Sequence, residues 1–165
     1  MSKFVVVLSV AFVVVGLDQL SKWFIDRHME LYQSIPVIDS FFHISYVRNR
    51  GGAFSFLANL DTALRLPFFI VVSLCAIAAL LYFVRQVGSR QYLLLCALGG
   101  ILGGALGNLT DRMARGGMVV DFLDVHYRGW HWPTFNVADS FISVGVVVLM
   151  AHSLFSQQSP EGGRR

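Results

Sequence analysis

The stretch LPFFIVVSLCAIAALLYFV, residues 66–84, carries no charged side chain. The hydrocarbon core of a bilayer is about 30 Å thick, so a helix of roughly 20 mostly apolar residues spans it. Three further stretches are apolar enough to do the same, at residues 4–25, 91–110 and 135–155. The sequence therefore predicts a mainly α membrane protein with four transmembrane helices in one domain, residues 1–155, followed by a disordered cytoplasmic tail at 156–165.

The composition agrees with a membrane protein and excludes several other classes. Hydrophobic residues make up 55% of the 165 residues and charged residues only 14%, which is too apolar for an ordinary soluble domain. Cys75 and Cys96 both lie inside apolar runs, which argues against a disulfide framework and against a Cys-x-x-Cys metal site. The net charge of +3 is small and the basic residues are scattered, so nucleic-acid binding is not expected.

The first span contains charged residues. The apolar run 4–17 alone is short and resembles part of a secretory signal peptide, but no small-x-small cleavage site follows it. A full-length helix must extend to about Ile25 and so includes Asp18 and Lys22. Because these two are spaced i, i+4, they share a helix face and are predicted to form an ion pair. Taken alone, such a pair is more typical of structure than of catalysis.

Four spans place both termini on the same side of the membrane. The short linker RQVGSR, residues 85–90, holds two arginines, and two more end the chain, so the positive-inside rule favours a cytoplasmic location for that side. The opposite side carries at least as many basic residues: Arg27, Arg48, Arg50, Arg65, Arg112, Arg115 and Arg128. Charge alone therefore favours this orientation without deciding it.

Both connections on the opposite side show signs of structure. Residues 42–57 alternate in polarity and contain turn-forming residues at Asn49 to Gly52, which predicts a hairpin or small sheet. Residues 113–133 combine a Gly-Gly break, a β-branched segment and aromatic residues of the kind that favour the membrane interface.

The polar residues near the ends of the spans have structural explanations when each is taken singly. Asp111 and Arg112 are compatible with a salt bridge at the end of a helix. Asn136 and Asp139 match a capping box, in which an N-cap side chain and an acid three residues later satisfy the first N–H groups of a helix. Together, however, these residues fall on one side of a four-span chain, where burial of ionisable groups is costly without partners. The clustering predicts a shared polar cavity.

The chemistry of that cavity is narrowed by missing motifs. The sequence has no G-x-S-x-G or H-E-x-x-H motif, and its histidines show no spacing that fixes a metal. A pair of carboxylates that shares one proton remains, as in aspartic proteases. Asp139 has two possible partners in VVDFLDV, Asp121 and Asp124, which lie on opposite faces of a strand but on one face of a helix. Periodicity does not choose between them.

Five blocks of the sequence, in order, resemble the bacterial lipoprotein signal peptidase (signal peptidase II) family. They are DQLSK (18–22), VRNRGGAFS (47–55), GNLTDR (107–112), VVDF (119–122) and FNVADS (135–140). The resemblance covers almost the whole chain up to the tail. It implies an intramembrane aspartic endopeptidase that cleaves prolipoproteins on the amino side of a diacylglyceryl-modified cysteine.

The resemblance also implies the site and its setting. The catalytic pair falls on Asp121 and Asp139, and the substrate-binding or supporting residues fall on Asp18, Lys22, Asn49, Gly51, Ala53, Asn108, Asp111, Arg112 and Asn136. Arg112 is expected to hold Asp111 or a lipid head group. No cofactor, metal or obligate protein partner is implied. The expected location is the bacterial inner membrane, with both termini cytoplasmic and the active site near the extracytoplasmic face, where the 42–57 hairpin cradles substrate and residues 113–133 include a gate.

Two other classes compete with a protease. A small transporter or proton-relay protein would use the same carboxylates but would need charges at the midplane of several spans, and spans two and three are uncharged there. A membrane scaffold with capped helices would leave the clustering of polar residues on one side as a coincidence.

Overall fold

The computed structural model describes residues 2–51 and 61–156. Within these ranges the helices are α1 (Lys3–His28), α2 (Thr62–Gln86), α3 (Tyr92–Ala114) and α4 (Val137–Ser156), and the strands are β1 (Ser34–Ile38), β2 (Phe42–Asn49), β3 (Val119–Tyr127) and β4 (Trp130–His131). All four helices are long and apolar enough to cross a membrane. The predicted fold class is confirmed. Ala53, the end of the 42–57 segment and the tail after residue 156 lie outside the described residues.

The helix ends differ from the predicted ends for local reasons. Helix α2 begins at residue 62, because the Asp61 side chain accepts a hydrogen bond of 3.0 Å from the Ala63 N–H and caps the helix. Helix α3 runs to Ala114, about one turn beyond the predicted end. Its last turns therefore hold Asp111 and Arg112 in helical geometry rather than in a loop.

Helix α3 is the centre of the bundle and packs against the other three helices. Glycines take the positions on α3 that face its neighbours. A Cβ added at Gly103 would lie 2.7 Å from the carbonyl oxygen of Ala11 in α1, and one at Gly104 would lie 2.5 Å from the carbonyl oxygen of Ala138 in α4. Only glycine permits so close an approach of two helix backbones. This packing brings α1, α3 and the first turn of α4 together at one end of the bundle.

The strands form one antiparallel sheet in the order β1-β2-β3-β4. Pairing of β2 with β3, for example Val47 with Asp121, joins the connection after α1 to the connection after α3. The predicted small sheet is confirmed, but β1 was not predicted. Strand β2 is paired with β1 through a turn that precedes it, at residues 39–41. The hairpin turn that the sequence predicts after β2, at Asn49 to Gly52, runs into residues outside the described ranges and stays a prediction.

Candidate active site

Strand β3 separates the two aspartates that periodicity could not choose between. The segment is extended, so Asp121 and Asp124 point to opposite faces of the sheet. Asp121 is 3% exposed, and its carboxylate accepts hydrogen bonds from side chains of β2 and of the residue before α4. Asp124 lies on the other face, where the Ser45 hydroxyl donates to its Oδ2 at 2.8 Å. Asp121 is therefore the carboxylate that faces α4.

The first turn of α4 is a capping box. The Asp139 N–H donates to Asn136 Oδ1 at 2.9 Å, and the Asn136 N–H donates to Asp139 Oδ2 at 3.3 Å. The other oxygen of Asp139 accepts a hydrogen bond of 2.8 Å from Asn108 Nδ2 in α3. The hydrogen bonds that cap α4 therefore also fix the orientation of the Asp139 carboxylate.

Asn136 connects the two carboxylates. Besides its bonds to Asp139, its fully buried side chain donates from Nδ2 to Asp121 Oδ1 at 2.7 Å. Asn49 donates from Nδ2 to the other oxygen of Asp121 at 3.0 Å, and Asn49 Oδ1 accepts from the Gly51 N–H at 2.9 Å. Asp121 and Asp139 are therefore bonded to a single shared residue.

The ionisation of Asp121 is strongly perturbed. Burial and, second to it, the negative charge of Asp139 raise the pKa of Asp121 to about 7, although the hydrogen bonds from Asn49 and Asn136 oppose the rise. A carboxyl group with a pKa near neutrality, beside a second carboxyl group, is suited to proton transfer.

A buried ion cluster lies directly behind these carboxylates. Lys22 Nζ donates to Asp18 Oδ2 at 2.8 Å and to Asn108 Oδ1 at 3.1 Å, and it lies 3.1 Å from Asp111 Oδ2. The side chains of Lys22, Asp18 and Asp111 are all fully buried. The predicted ion pair of Asp18 and Lys22 is present, but it is part of a larger network.

The cluster holds the backbone next to each carboxylate. Asp18 Oδ1 accepts from the N–H of Ala138, the residue before Asp139, at 3.0 Å. Asp111 Oδ2 accepts from the N–H of Val120, the residue before Asp121, at 3.0 Å. Removing one partner from a buried, well-paired charged network costs roughly 3–5 kcal/mol of stability. The network therefore holds the backbone before Asp121 and before Asp139 in place.

Two residues depart from the sequence-based expectation. Of the two roles expected for Arg112, a pairing with Asp111 is not seen among the described residues, because its guanidinium lies over the Phe69 ring at 4.5 Å and donates to the Asn108 carbonyl at 3.4 Å. Binding of a lipid head group stays a prediction. Asp111 pairs instead with Lys22 and with Arg115, whose Nε lies 3.5 Å from it. Gln19 was missed as a member of the network, although its Nε2 reaches Asp111 Oδ1 at 2.9 Å. Its place inside the DQLSK block was the available signal.

Most of this chain matches a known protein family. A family model described as "Signal peptidase (SPase) II" matches residues 10–155. This chain belongs to the signal peptidase II family. It is 57% identical to a lipoprotein signal peptidase of Geobacter sulfurreducens over 133 residues, which are 81% of each chain. It is 49% identical to that of Syntrophotalea carbinolica over 150 residues, which are 91% of each chain.

Two solved structures of bacterial membrane enzymes share the fold of this chain. A bacterial membrane enzyme superposes with a TM-score of 0.82 at 30% sequence identity, over 96% of this chain and 94% of that one. A second such enzyme gives a TM-score of 0.79 at 32% identity, over 90% and 92% of the two chains. Membership of the family makes this chain a peptidase, built on four helices that can span a bacterial membrane.

Proposed function

We propose that this chain is an intramembrane aspartic endopeptidase that removes signal peptides from prolipoproteins, on the amino side of a diacylglyceryl-modified cysteine. Its relatives carry the name lipoprotein signal peptidase, which supports the substrate class. Asp121 and Asp139 form the catalytic dyad of the proposal. The main support for this dyad is that Asn136 is hydrogen-bonded to both carboxylates, at the edge of a fully buried ion cluster.

The proposed chemistry needs one proton shared by the dyad. Two neighbouring carboxylates do not both ionise readily, so one is protonated while the other is ionised. The ionised carboxylate takes a proton from water as the oxygen of that water bonds to the scissile carbonyl carbon. The protonated carboxylate gives its proton to the leaving amide nitrogen as the C–N bond breaks. Proton count is conserved, and the cleavage proceeds through a tetrahedral intermediate without a covalent link to the enzyme.

The asparagines around the dyad have a positioning role in this scheme. Asn108 is itself fixed, because its Oδ1 accepts from Lys22 while its Nδ2 donates to Asp139. Asn49 and Asn136 donate to the two oxygens of Asp121. These donors hold each carboxylate in one orientation, which reduces the reorganisation required in the transition state.

The position of the dyad suits a lipid-bearing substrate. The carboxylates lie where α4 begins and where α3 nears its end, beside the sheet, so the membrane-embedded parts of both helices extend away from them. Acyl chains attached to the substrate can remain in lipid while water reaches the carboxylates from the sheet side. In this proposal the sheet side is extracytoplasmic, residues 42–57 cradle the substrate, residues 113–133 gate the site, and both termini are cytoplasmic in the bacterial inner membrane.

The decisive experiment compares three conservative variants of the detergent-purified protein on a diacylglyceryl-modified prolipoprotein. Asp121→Asn and Asp139→Asn should each lower the cleavage rate at least about 10²-fold, because each removes a group needed for proton transfer. Asp124→Asn is the matched control, since Asp124 lies three residues along the same strand on the opposite face, and it should remain active at temperatures at which the variant is folded. A folded Asp121→Asn or Asp139→Asn protein that cleaves at nearly the wild-type rate would rule out the dyad.

A second test concerns the role of metals in the reaction. The proposed mechanism activates water with carboxylates alone, so a chelator should leave the cleavage rate unchanged at temperatures well below unfolding. Activity that is lost on chelation while the protein stays folded, that is restored by zinc, and that shows the same loss in a folded His126→Ala protein before any chelator is added would point to a structural ion bound on the sheet. Loss and zinc rescue that persist in folded His126→Ala would contradict the proposed mechanism, because they would assign water activation to a Lewis acid.

A further inference from the structure

A second group of titratable side chains lies on the face of the sheet opposite Asp121. His43 in β2 is paired directly with Asp124 in β3, and His126, two residues further along β3, is paired with His131 in β4. Residues i and i+2 of a strand share a face, so all four side chains project from the same side of three adjacent strands. We call His43, Asp124, His126 and His131 the histidine cluster.

The members of the histidine cluster are close enough to share one ion. His43, Asp124 and His126 each offer a ligand atom, and these atoms all lie within 4.8 Å of one another. The His126 ring lies between the other two imidazoles, with centroid distances of 4.4 Å to His43 and 4.8 Å to His131. His131 Nδ1 is 3.8 Å from Asp124 Oδ1. Around a tetrahedral ion bound at about 2 Å, ligand atoms are about 3.3 Å apart, so small side-chain rotations would complete the site.

One buried nitrogen in the cluster lacks a partner. His126 Nδ1 is shielded from solvent and makes no hydrogen bond to any of the residues that the structure describes. Burial of an unpaired polar nitrogen is unfavourable, and ring stacking among histidines does not satisfy it. A bound metal ion would satisfy this nitrogen, because the tautomer with its proton on Nε2 leaves a lone pair on Nδ1.

The outer contacts of the cluster are of the kind that orient metal ligands. The Ser45 hydroxyl donates to Asp124 Oδ2 at 2.8 Å, which leaves Oδ1 available. His43 Nδ1 lies 3.3 Å from the Ser34 hydroxyl in β1, which leaves its Nε2 available. Hydrogen bonds from a second layer of residues fix the tautomer and the direction of ligating side chains in this way.

We propose that the histidine cluster binds one zinc ion, or a first-row divalent cation of similar chemistry, through His43, Asp124 and His126, with His131 as a fourth ligand. Imidazole and carboxylate donors in this number suit Zn²⁺ and do not suit Mg²⁺, which prefers oxygen ligands. The ion would link β2, β3 and β4 on the face away from the dyad. Its role is therefore structural, and the proposal stands independently of the proposed proteolysis.

The test is zinc binding to the full-length protein in detergent, purified through a tag that contains no histidine and stripped of metal with a chelator. Calorimetric titration with zinc chloride should give one ion per chain, and zinc should raise the melting temperature. His126→Ala and Asp124→Asn should each weaken binding by at least about tenfold. His28→Ala is the matched control, because His28 is exposed at the end of α1 and bonds to the Phe24 carbonyl instead, and it should bind zinc like the wild type.

Folding of the variants is checked separately by far-UV circular dichroism and by monodisperse elution. The Asp124→Asn substitution preserves shape, so a loss of zinc binding in a folded Asp124→Asn protein supports the site. Cobalt should give visible absorption bands in the wild type that disappear in His126→Ala. The proposal is overturned if the wild type binds no stoichiometric zinc, if His126→Ala binds as tightly as the wild type, or if magnesium binds as well as zinc.

Discussion

Burial and the charge of Asp139 raise the pKa of Asp121 from 3.8 to about 7. This makes folding stability depend on pH in a definite direction. Below pH 4 the carboxyl is protonated in both the folded and the unfolded state. Between about pH 4 and pH 7 the unfolded state releases the proton while the folded state keeps it, so the free energy of unfolding falls as pH rises. A shift of this size corresponds to an upper limit of about 4 kcal/mol.

The Asp121→Asn variant should therefore gain stability relative to the wild type as pH increases. From pH 5 to pH 8 the difference in the free energy of unfolding should move in favour of the variant by on the order of 2 kcal/mol. Thermal unfolding of both proteins in detergent at the two pH values measures it. Every other titrating group is common to both chains, so the comparison reports the ionisation of Asp121 together with its coupling to Asp139. A difference in the free energy of unfolding that stays constant with pH would contradict the raised pKa of Asp121.

At the residue level, the sequence was most informative where the chemistry is local. The capping box at Asn136 and Asp139 was predicted from spacing, and the bonds in both directions are present. The ion pair of Asp18 and Lys22 was predicted in the same way. The pairing of Lys22 with Asp111 was not, because these residues are distant in sequence and lie on different helices. Local periodicity contains no information about such a contact.

The same limit explains why the histidine cluster was not foreseen. Only the i, i+2 spacing of Asp124 and His126 is local, and it indicates a shared face only once the segment is known to be a strand. His43 belongs to a different connection and reaches Asp124 through the register of β2 and β3. Metal-site patterns in sequence depend on fixed spacing, and this cluster has none.

At the level of elements, the apolar runs predicted all four membrane-spanning helices, while the arrangement of the sheet was only partly predicted. Alternating polarity indicated β2, but the sequence left open whether the segment that forms β3 is a strand or a helix. Pairing between β2 and β3 also closes a long loop for which the sequence has no local signal. The short strand β1 is exposed along its length, so no hydrophobic alternation marked it. The glycines of α3 allow the neighbouring helices to pack closely. The sequence of α3 does not reveal which atoms of those helices each glycine contacts.

Helix packing can be tested with one pair of glycine variants. Gly104→Ala should destabilise the protein by about 1–3 kcal/mol, because its Cβ would lie 2.5 Å from the Ala138 carbonyl oxygen and 2.7 Å from Ile142 Cγ1. The displaced residue, Ala138, directly precedes Asp139, so cleavage activity should fall as well. Thermal unfolding in detergent and the cleavage assay measure the two effects.

Gly16→Ala is the matched control for that variant. Gly16 lies within α1, and an added Cβ would meet no atom within 4 Å. Alanine favours helix over glycine by up to about 1 kcal/mol, so this variant should be as stable as the wild type or slightly more stable. Equal melting temperatures for Gly104→Ala and Gly16→Ala would contradict this prediction, because they would show that the contact between α3 and α4 accommodates a Cβ at residue 104.

At the level of the whole molecule, the sheet lies at one end of the helix bundle, and the α2–α3 linker, the start of α1 and the end of α4 lie at the other. Basic residues occur on both sides, and several on the sheet side have partners that explain their presence. Arg115 is bonded to Asp26 and also pairs with Asp111, and Arg48 donates to the Tyr46 hydroxyl at 2.8 Å. Arginines that are held by the fold are weak evidence about orientation. The linker arginines, Arg85 and Arg90, then carry more weight, and they favour a cytoplasmic linker.

Cysteine labelling in spheroplasts tests this orientation. The native Cys75 and Cys96 lie within the spans and are replaced by alanine. A membrane-impermeant maleimide should then label Asp39→Cys, in the exposed turn between β1 and β2, without permeabilisation. Ser89→Cys, exposed in the α2–α3 linker, should be labelled only after the membrane is opened. The reverse pattern would put the sheet and the dyad in the cytoplasm, away from substrates whose lipid-modified cysteine lies at the outer surface, and would therefore contradict the proposed function along with the orientation.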